Sequence, residues 1–174
     1  EVHILDFSEW TLRDIISIWK SDLPIGLSEQ TWKTVADYRN SLEEKIATSS
    51  TPVYGINTGF GALCNQVIAS EELSQLQINL VRSHACGTGP YIDVETCKLM
   101  LLLKIISLSK GNSCIRPELL QFLIQIYNEK IFPEIPERGS LGASGDLAPL
   151  AHMSLLCIGE GKIISTEGNV ADLL

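Results

Sequence analysis

The spacing of apolar residues along the chain is mostly helical, and polar residues between the apolar runs supply start and stop signals. Ser28 and Glu29 mark one helix start, with Leu27 and Trp32 placed as a hydrophobic staple around it. Val35, Leu42 and Ile46 continue one face, so this helix is expected to run to about Ala47. A second is expected from a Ser70 cap, with Glu71 and Glu72 at the positive end of its dipole and Leu73, Leu76, Leu80 and Val81 as its apolar stripe. Asp93 should cap a third, running through Ser109 and stopped by Gly111, whose apolar residues lie nearly all round the axis as in a buried central helix. Pro117 suits the first position of a fourth, with Leu119, Leu120, Leu123 and Ile126 inward and Pro133 beyond its end. A fifth is expected from Asp146 to Ile158, with Gly159 as its stop. Segments 2–5 and 162–165 read as short strands. The expected fold class is mainly α with a few short β-strands.

Composition narrows the function classes. Thirteen Lys and Arg against 21 Asp and Glu give a net charge of −8, with no basic run that reverses it locally, so nucleic acid is not an expected partner. A hydrophobic fraction of 45% rules out disorder for the bulk of the chain. The most apolar stretch, 99–108, is interrupted by Lys104 and is far shorter than the roughly 20 residues a membrane span needs. The acidic start, Glu1 to Asp6, lacks the pattern of a signal peptide. A soluble, cytoplasmic protein without membrane partners is expected. The five cysteines (Cys64, Cys86, Cys97, Cys114 and Cys157) are oddly spaced and form no C-x-x-C pair, which predicts buried free thiols rather than disulfides or a metal site.

Glycine placement changes the picture more than charge does. Eight of the 13 glycines fall in three stretches, Gly55/Gly59/Gly61, Gly87/Gly89 and Gly139/Gly142/Gly145, each beside polar or reactive side chains. Glycine serves where the backbone turns sharply or approaches something closely, and three such clusters point to a common site. The last one fails the familiar tests. It has no lysine for a phosphate loop, Asp146 stands where a nucleophile elbow needs its second glycine, and Cys64 breaks a dinucleotide fingerprint at Gly59-Phe60-Gly61. What remains is Ala143-Ser144-Gly145: a minimal side chain, a residue able to lose water, and a residue without Cβ. Such a tripeptide can bend so that the Gly145 nitrogen reaches the Ala143 carbonyl carbon. Loss of water from that ring and of the Ser144 hydroxyl leaves an exocyclic methylene, a strong electrophile. A glycine-rich helix entry capped by Ser144 or Asp146 is the plainer reading of the same residues.

Three segments in order, Tyr54-Gly55-Ile56-Asn57-Thr58-Gly59-Phe60-Gly61, Asn79-Leu80-Val81-Arg82-Ser83-His84-Ala85-Cys86-Gly87 and the run from Gly139 to Ser154, resemble the aromatic amino acid ammonia-lyase family, which includes the related aminomutases. The resemblance is close from about Pro52 to Gly161 and looser before that. It implies that Ala143, Ser144 and Gly145 mature into a methylidene-imidazolone, with no metal and no external cofactor. The substrate amine would add to the methylene, and Tyr54 would be the base that takes a β-proton before ammonia leaves. Asn57, Gly59, Gly61 and Asp146 would support the site: the glycines by letting the Tyr54 loop act as a lid, and the helix after Asp146 by directing its dipole toward the ring carbonyl. Ser83-His84 is the pair that the family's histidine-specific members carry, so L-histidine is the favoured substrate, giving urocanate and ammonia. His84 would hydrogen-bond the substrate imidazole. His152 carries no chemistry in the family and is expected to be a buried supporting residue, and Cys86 a small packing residue.

The resemblance recasts the length. Residues 1–174 first suggest one self-sufficient domain, but family members are much longer. The chain is therefore expected to be the N-terminal domain of the ammonia-lyase fold, truncated, lacking most of the long central helix bundle through which the family forms homotetramers. Alone it is expected to be inactive and self-associating, with the tripeptide uncyclised. The alternatives are a tyrosine or phenylalanine ammonia-lyase or aminomutase, and a non-catalytic folding or assembly module whose tripeptide never cyclises.

Overall fold

The computed structural model describes residues 1–6, 9–48, 52–58, 72–141, 145 and 147–164. In chain order the elements are β1 (His3–Leu5), α1 (Leu12–Trp19), β2 (Ile25–Leu27), α2 (Glu29–Thr48), α3 (Leu73–His84), β3 (Thr88–Tyr91), α4 (Val94–Ser109), α5 (Pro117–Asn128), β4 (Phe132–Pro133), β5 (Pro136–Arg138), α6 (Leu147–Leu155) with a 3₁₀ turn at Leu156–Ile158, and β6 (Ile163–Ile164). The fold is mainly helical with short strands, as the apolar spacing predicts. None of the described helices is long and apolar enough to cross a membrane. The chain divides into two compact units, the first built from 1–42, 92–134 and 162–174 and the second from 43–91 and 135–161.

In the first unit, α4 is the central element. Asp93 Oδ1 accepts the Thr96 amide at 2.9 Å and Oδ2 accepts the Thr96 hydroxyl at 2.7 Å, which fixes the helix start as the sequence predicts. Cys97, Leu101, Leu102 and Ile105 are fully buried, while Leu103 stays 44% exposed, so the burial is broad without encircling the helix. Pro117 opens α5, which packs on α4 and buries Leu120, Leu123, Ile124 and Ile126. Asn128 at the end of α5 donates to Ile25 O and accepts from Ile25 N, tying the helix to β2. β1 and β2 pair in parallel, with Leu5, Ile25 and Leu27 buried. β4 and β6 pair antiparallel, and the Glu134 amide bonds Lys162 O at 2.8 Å where the chain leaves and rejoins this unit.

Ser28 caps α2 as expected, its Oγ accepting the Thr31 amide at 3.1 Å. Helix α1 was not expected, although Thr11 and Asp14 form a complete capping box at its start. Cysteine burial also departs from expectation. Cys97 is buried, Cys114 and Cys157 are half-buried, and Cys86 is exposed in the connection between α3 and β3. Cys64 lies outside the described residues.

In the second unit, α3 packs against α6, and β3 pairs antiparallel with β5 through Thr88–Arg138 and Tyr91–Pro136. The last expected helix is observed in two parts: α6 proper, then the 3₁₀ turn, ended by Gly159 in the left-handed conformation at φ 72°. The Ser70 cap expected for α3 lies outside the described residues.

Candidate active site

The described candidate residues Tyr54, Asn57, Ser83, His84 and Gly145 all belong to the second unit. Gly59, Gly61, Ala143, Ser144 and Asp146 lie outside the described residues.

The Tyr54 segment is a self-bonded turn. The Ile56 and Asn57 amides donate to Val53 O, and Asn57 Oδ1 takes the Val53 amide at 2.7 Å. Gly55 turns the chain in the left-handed region, at φ 70°, and its amide donates to Thr58 Oγ1. Asn57 and Thr58 are thus buried inside the turn they hold together, whereas Tyr54 is 64% exposed. The Asn57 carboxamide closes the turn in which Tyr54 lies. Gln77 of α3 binds the turn from outside, donating to Gly55 O at 3.4 Å and Ile56 O at 3.3 Å.

Ser83 and His84 end the same helix, two turns beyond Gln77 and about 10 Å along the axis at 1.5 Å per residue. His84 Nδ1 lies 2.8 Å from Leu80 O and 3.1 Å from Ser83 Oγ. A carbonyl can only accept, so Nδ1 carries the proton, and in the neutral ring Nε2 is then the acceptor. Ser83 acts on this ring as a neighbour, with its own hydroxyl donating to Leu80 O. α3 therefore ends on an imidazole of fixed tautomer and also anchors the tyrosine turn.

The segment after His84 runs straight into the glycine clusters. Gly87 donates its amide to His152 Nε2 at 2.9 Å. A Cβ on Gly139 would lie 2.9 Å from Gly87 Cα and 3.0 Å from Ala148 Cβ, and one on Gly87 would lie 3.0 Å from both His152 Nε2 and Pro136 Cβ, so both positions are crowded. Gly145, two residues before α6, has φ 74° and, among the described residues apart from its chain neighbours, no atom within 4 Å of where a Cβ would stand. Arg82 forms a bidentate ion pair with Glu160 that joins the end of α3 to the chain beyond the 3₁₀ turn and holds the Glu160 carboxyl below its usual range. Gln77, Arg82 and the bond made by His152 were not expected. Gln77 and Arg82 carry no distinctive spacing, and the acceptor role of His152 depends on a residue 65 positions away. Among the described residues, no three His, Cys, Asp or Glu gather as metal ligands.

The aromatic amino acid lyase family model matches residues 10–172. The chain belongs to this family. It is 45% identical over 163 residues, 94% of its own length, to a histidine ammonia-lyase of Legionella pneumophila. Among solved structures it superposes on a phenylalanine aminomutase of Pantoea agglomerans with TM-score 0.87 at 35% identity, covering 95% of this chain and 32% of the other. It superposes on a histidine ammonia-lyase of Trypanosoma cruzi with TM-score 0.81 at 32% identity, covering 95% and 31%. The chain spans about a third of the length of these family members, 32% for the Legionella relative.

Proposed function

We propose that this chain is the electrophile-bearing part of a carbon–nitrogen lyase that eliminates ammonia from L-histidine to give urocanate. The observation that carries the reading is the common mounting of Tyr54 and Ser83-His84: one helix, α3, ends on the imidazole and grips the tyrosine turn through Gln77. The histidine ammonia-lyase relatives favour the same substrate.

The prosthetic group expected here is a methylidene-imidazolone formed from Ala143-Ser144-Gly145, and the described part of that segment suits it. Gly145 is in the left-handed region at φ 74°, a conformation that glycine adopts without the strain an L side chain would carry. When formed, the group supplies an electrophilic carbon for the substrate amine. The side chains of the chain do the rest. Exposed Tyr54 takes the β-proton through its phenolic oxygen, and the Asn57-closed turn keeps it presented. His84 Nε2 accepts from the N–H of the substrate imidazole, a bond that a phenyl ring cannot offer. α6 begins at Leu147, so the positive end of its dipole falls on the side of the chain from which the tripeptide enters, and it would stabilise negative charge developing there. A homotetrameric whole protein in the cytoplasm belongs to the same proposal.

Joining this chain to the C-terminal two-thirds of the Legionella relative tests the reading. Trypsin releases residues 139–162 as one peptide, since no Lys or Arg lies between Arg138 and Lys162. That peptide should lack the mass of two waters, and L-histidine should yield urocanate absorbance that Ser144→Ala abolishes. The 174-residue chain alone should yield none. An unshifted peptide overturns the electrophile. A shifted peptide with turnover of phenylalanine or tyrosine, but not histidine, overturns the substrate.

A further inference from the structure

His152 belongs to none of the steps above, yet its side chain bonds a backbone amide 65 residues earlier in the chain. Its Nε2 accepts the Gly87 amide at 2.9 Å, directly before Thr88 enters the β3–β5 ladder opposite Arg138. One turn earlier on the same helix face, Ala148 stands where a Cβ on Gly139 would approach its own Cβ to 3.0 Å, and Gly139 in turn lies against Gly87 Cα. Gly87 closes the segment that begins at His84, and Gly139 opens the segment that carries the tripeptide. The residue pair 148/152 therefore meets both.

We propose that His152 is a positioning residue: by taking the Gly87 amide while Ala148 abuts Gly139, it holds α6 and the chain at Gly139 against the segment that follows His84. The consequence for the tripeptide rests on the lyase reading, but the clamp itself does not. The bond requires a neutral imidazole with Nε2 unprotonated, because an imidazolium would turn a donor toward a donor. Burial holds the His152 pKa below the ordinary histidine value, which keeps the acceptor form. The elements packed on α6 carry Arg82 and His84 on α3, Glu137 and Arg138 on β5, and Cys157 in the 3₁₀ turn, with Glu160 just beyond. Arg82 and Glu160 engage each other, and His84 Nδ1 is bonded to Leu80 O. α6 itself has no second titratable side chain.

Amide hydrogen exchange of the 174-residue chain, read at Gly87 by NMR, tests the clamp. His152→Leu should lower Gly87 protection roughly five- to tenfold, the worth of one hydrogen bond, and His152→Gln, whose carbonyl can accept from a similar position, should restore it. As pH falls through the folded His152 pKa, the protection factor at Gly87 should drop in the parent chain and stay level in His152→Gln. Unchanged Gly87 protection in His152→Leu overturns the proposal. Should that variant fail to fold, identical pH profiles for parent and His152→Gln overturn it instead. The Gly87 amide reports the clamp whether or not the tripeptide has cyclised, whereas the mass of the 139–162 peptide reports cyclisation alone, so the two readings fail separately.

Discussion

Replacing Gly139 with alanine should loosen the second unit measurably. The added methyl would lie 2.9 Å from Gly87 Cα and 3.0 Å from Ala148 Cβ. Neither neighbour is the far end of a flexible side chain, so relief requires the β3–β5 ladder and α6 to separate by several tenths of an ångström. Overpacking of this kind costs about 1–3 kcal/mol. For a chain of this size that corresponds to a melting temperature lowered by about 2–12 °C. Gly26→Ala provides the matched control. Its methyl would sit 3.4 Å from Val2 Cγ1 and 3.5 Å from Ile4 Cδ1, ordinary contacts with side-chain tips. That change should be neutral or stabilising by up to about 1 kcal/mol, through the reduced freedom of the unfolded chain. Far-UV circular dichroism melts compare the two variants. Because the chain forms two compact units, amide exchange at Gly87 and Ala148 assigns the loss to the second. Gly139→Ala melting at or above the parent temperature, with Gly87 protection unchanged, would refute the reasoning.

Thiol alkylation at pH 8, followed by peptide mass analysis, should rank the described cysteines by burial. Exposed Cys86 should react first, and Cys97 and Cys157 slowest, since burial pushes their thiols up to about 12 and about 11 and leaves almost no thiolate. Labelling of Cys97 as fast as Cys86 in the native chain would contradict the described core. Asp93 should contribute an acid-sensitive part of the stability of α4. Its bonds from the Thr96 hydroxyl and amide lower its pKa in the folded chain. The contribution is therefore present above the unfolded aspartate value of about 3.9 and is lost as pH falls through the lower folded value. Asp93→Asn should flatten that acid limb in urea titrations at successive pH values, and an equal slope in both chains would count against the cap.

Much of the helical fold is legible in the sequence because its boundaries are local chemistry. Ser28, Asp93, Pro117 and Gly159 each satisfy or terminate backbone groups within four residues of themselves, and the corresponding ends fall where those residues predict. Helix α1 carries an equally local signal in Thr11 and Asp14, and Leu12, Ile15, Ile16 and Trp19 recur at helical spacing, so it was legible in the sequence although it was not expected. β2, β3, β4 and β5 are two to four residues long, too short for alternation to register, and they exist because of partners far along the chain. The site divides in the same way. The Tyr54 and His84 segments stand out as motifs, and the bond from the Val53 amide to Asn57 is local, spanning only four positions. Gln77, Arg82 and the acceptor role of His152 are tertiary facts: each depends on a backbone path that returns after 21 to 78 residues.

The bond between the Glu134 amide and Lys162 O has a consequence in time. Everything from Ile135 to Gly161, the tripeptide included, is an excursion that leaves the first unit and returns to it at that bond and the adjoining β4–β6 pair. A ribosome must therefore deliver Ile164 before the excursion can be closed at its base. Until then the segment that carries Ala143, Ser144 and Gly145 is tied to the first unit at one end only. On the lyase reading, covalent maturation is accordingly a late event, set by when the far side of the excursion arrives rather than by the reactivity of the three residues themselves.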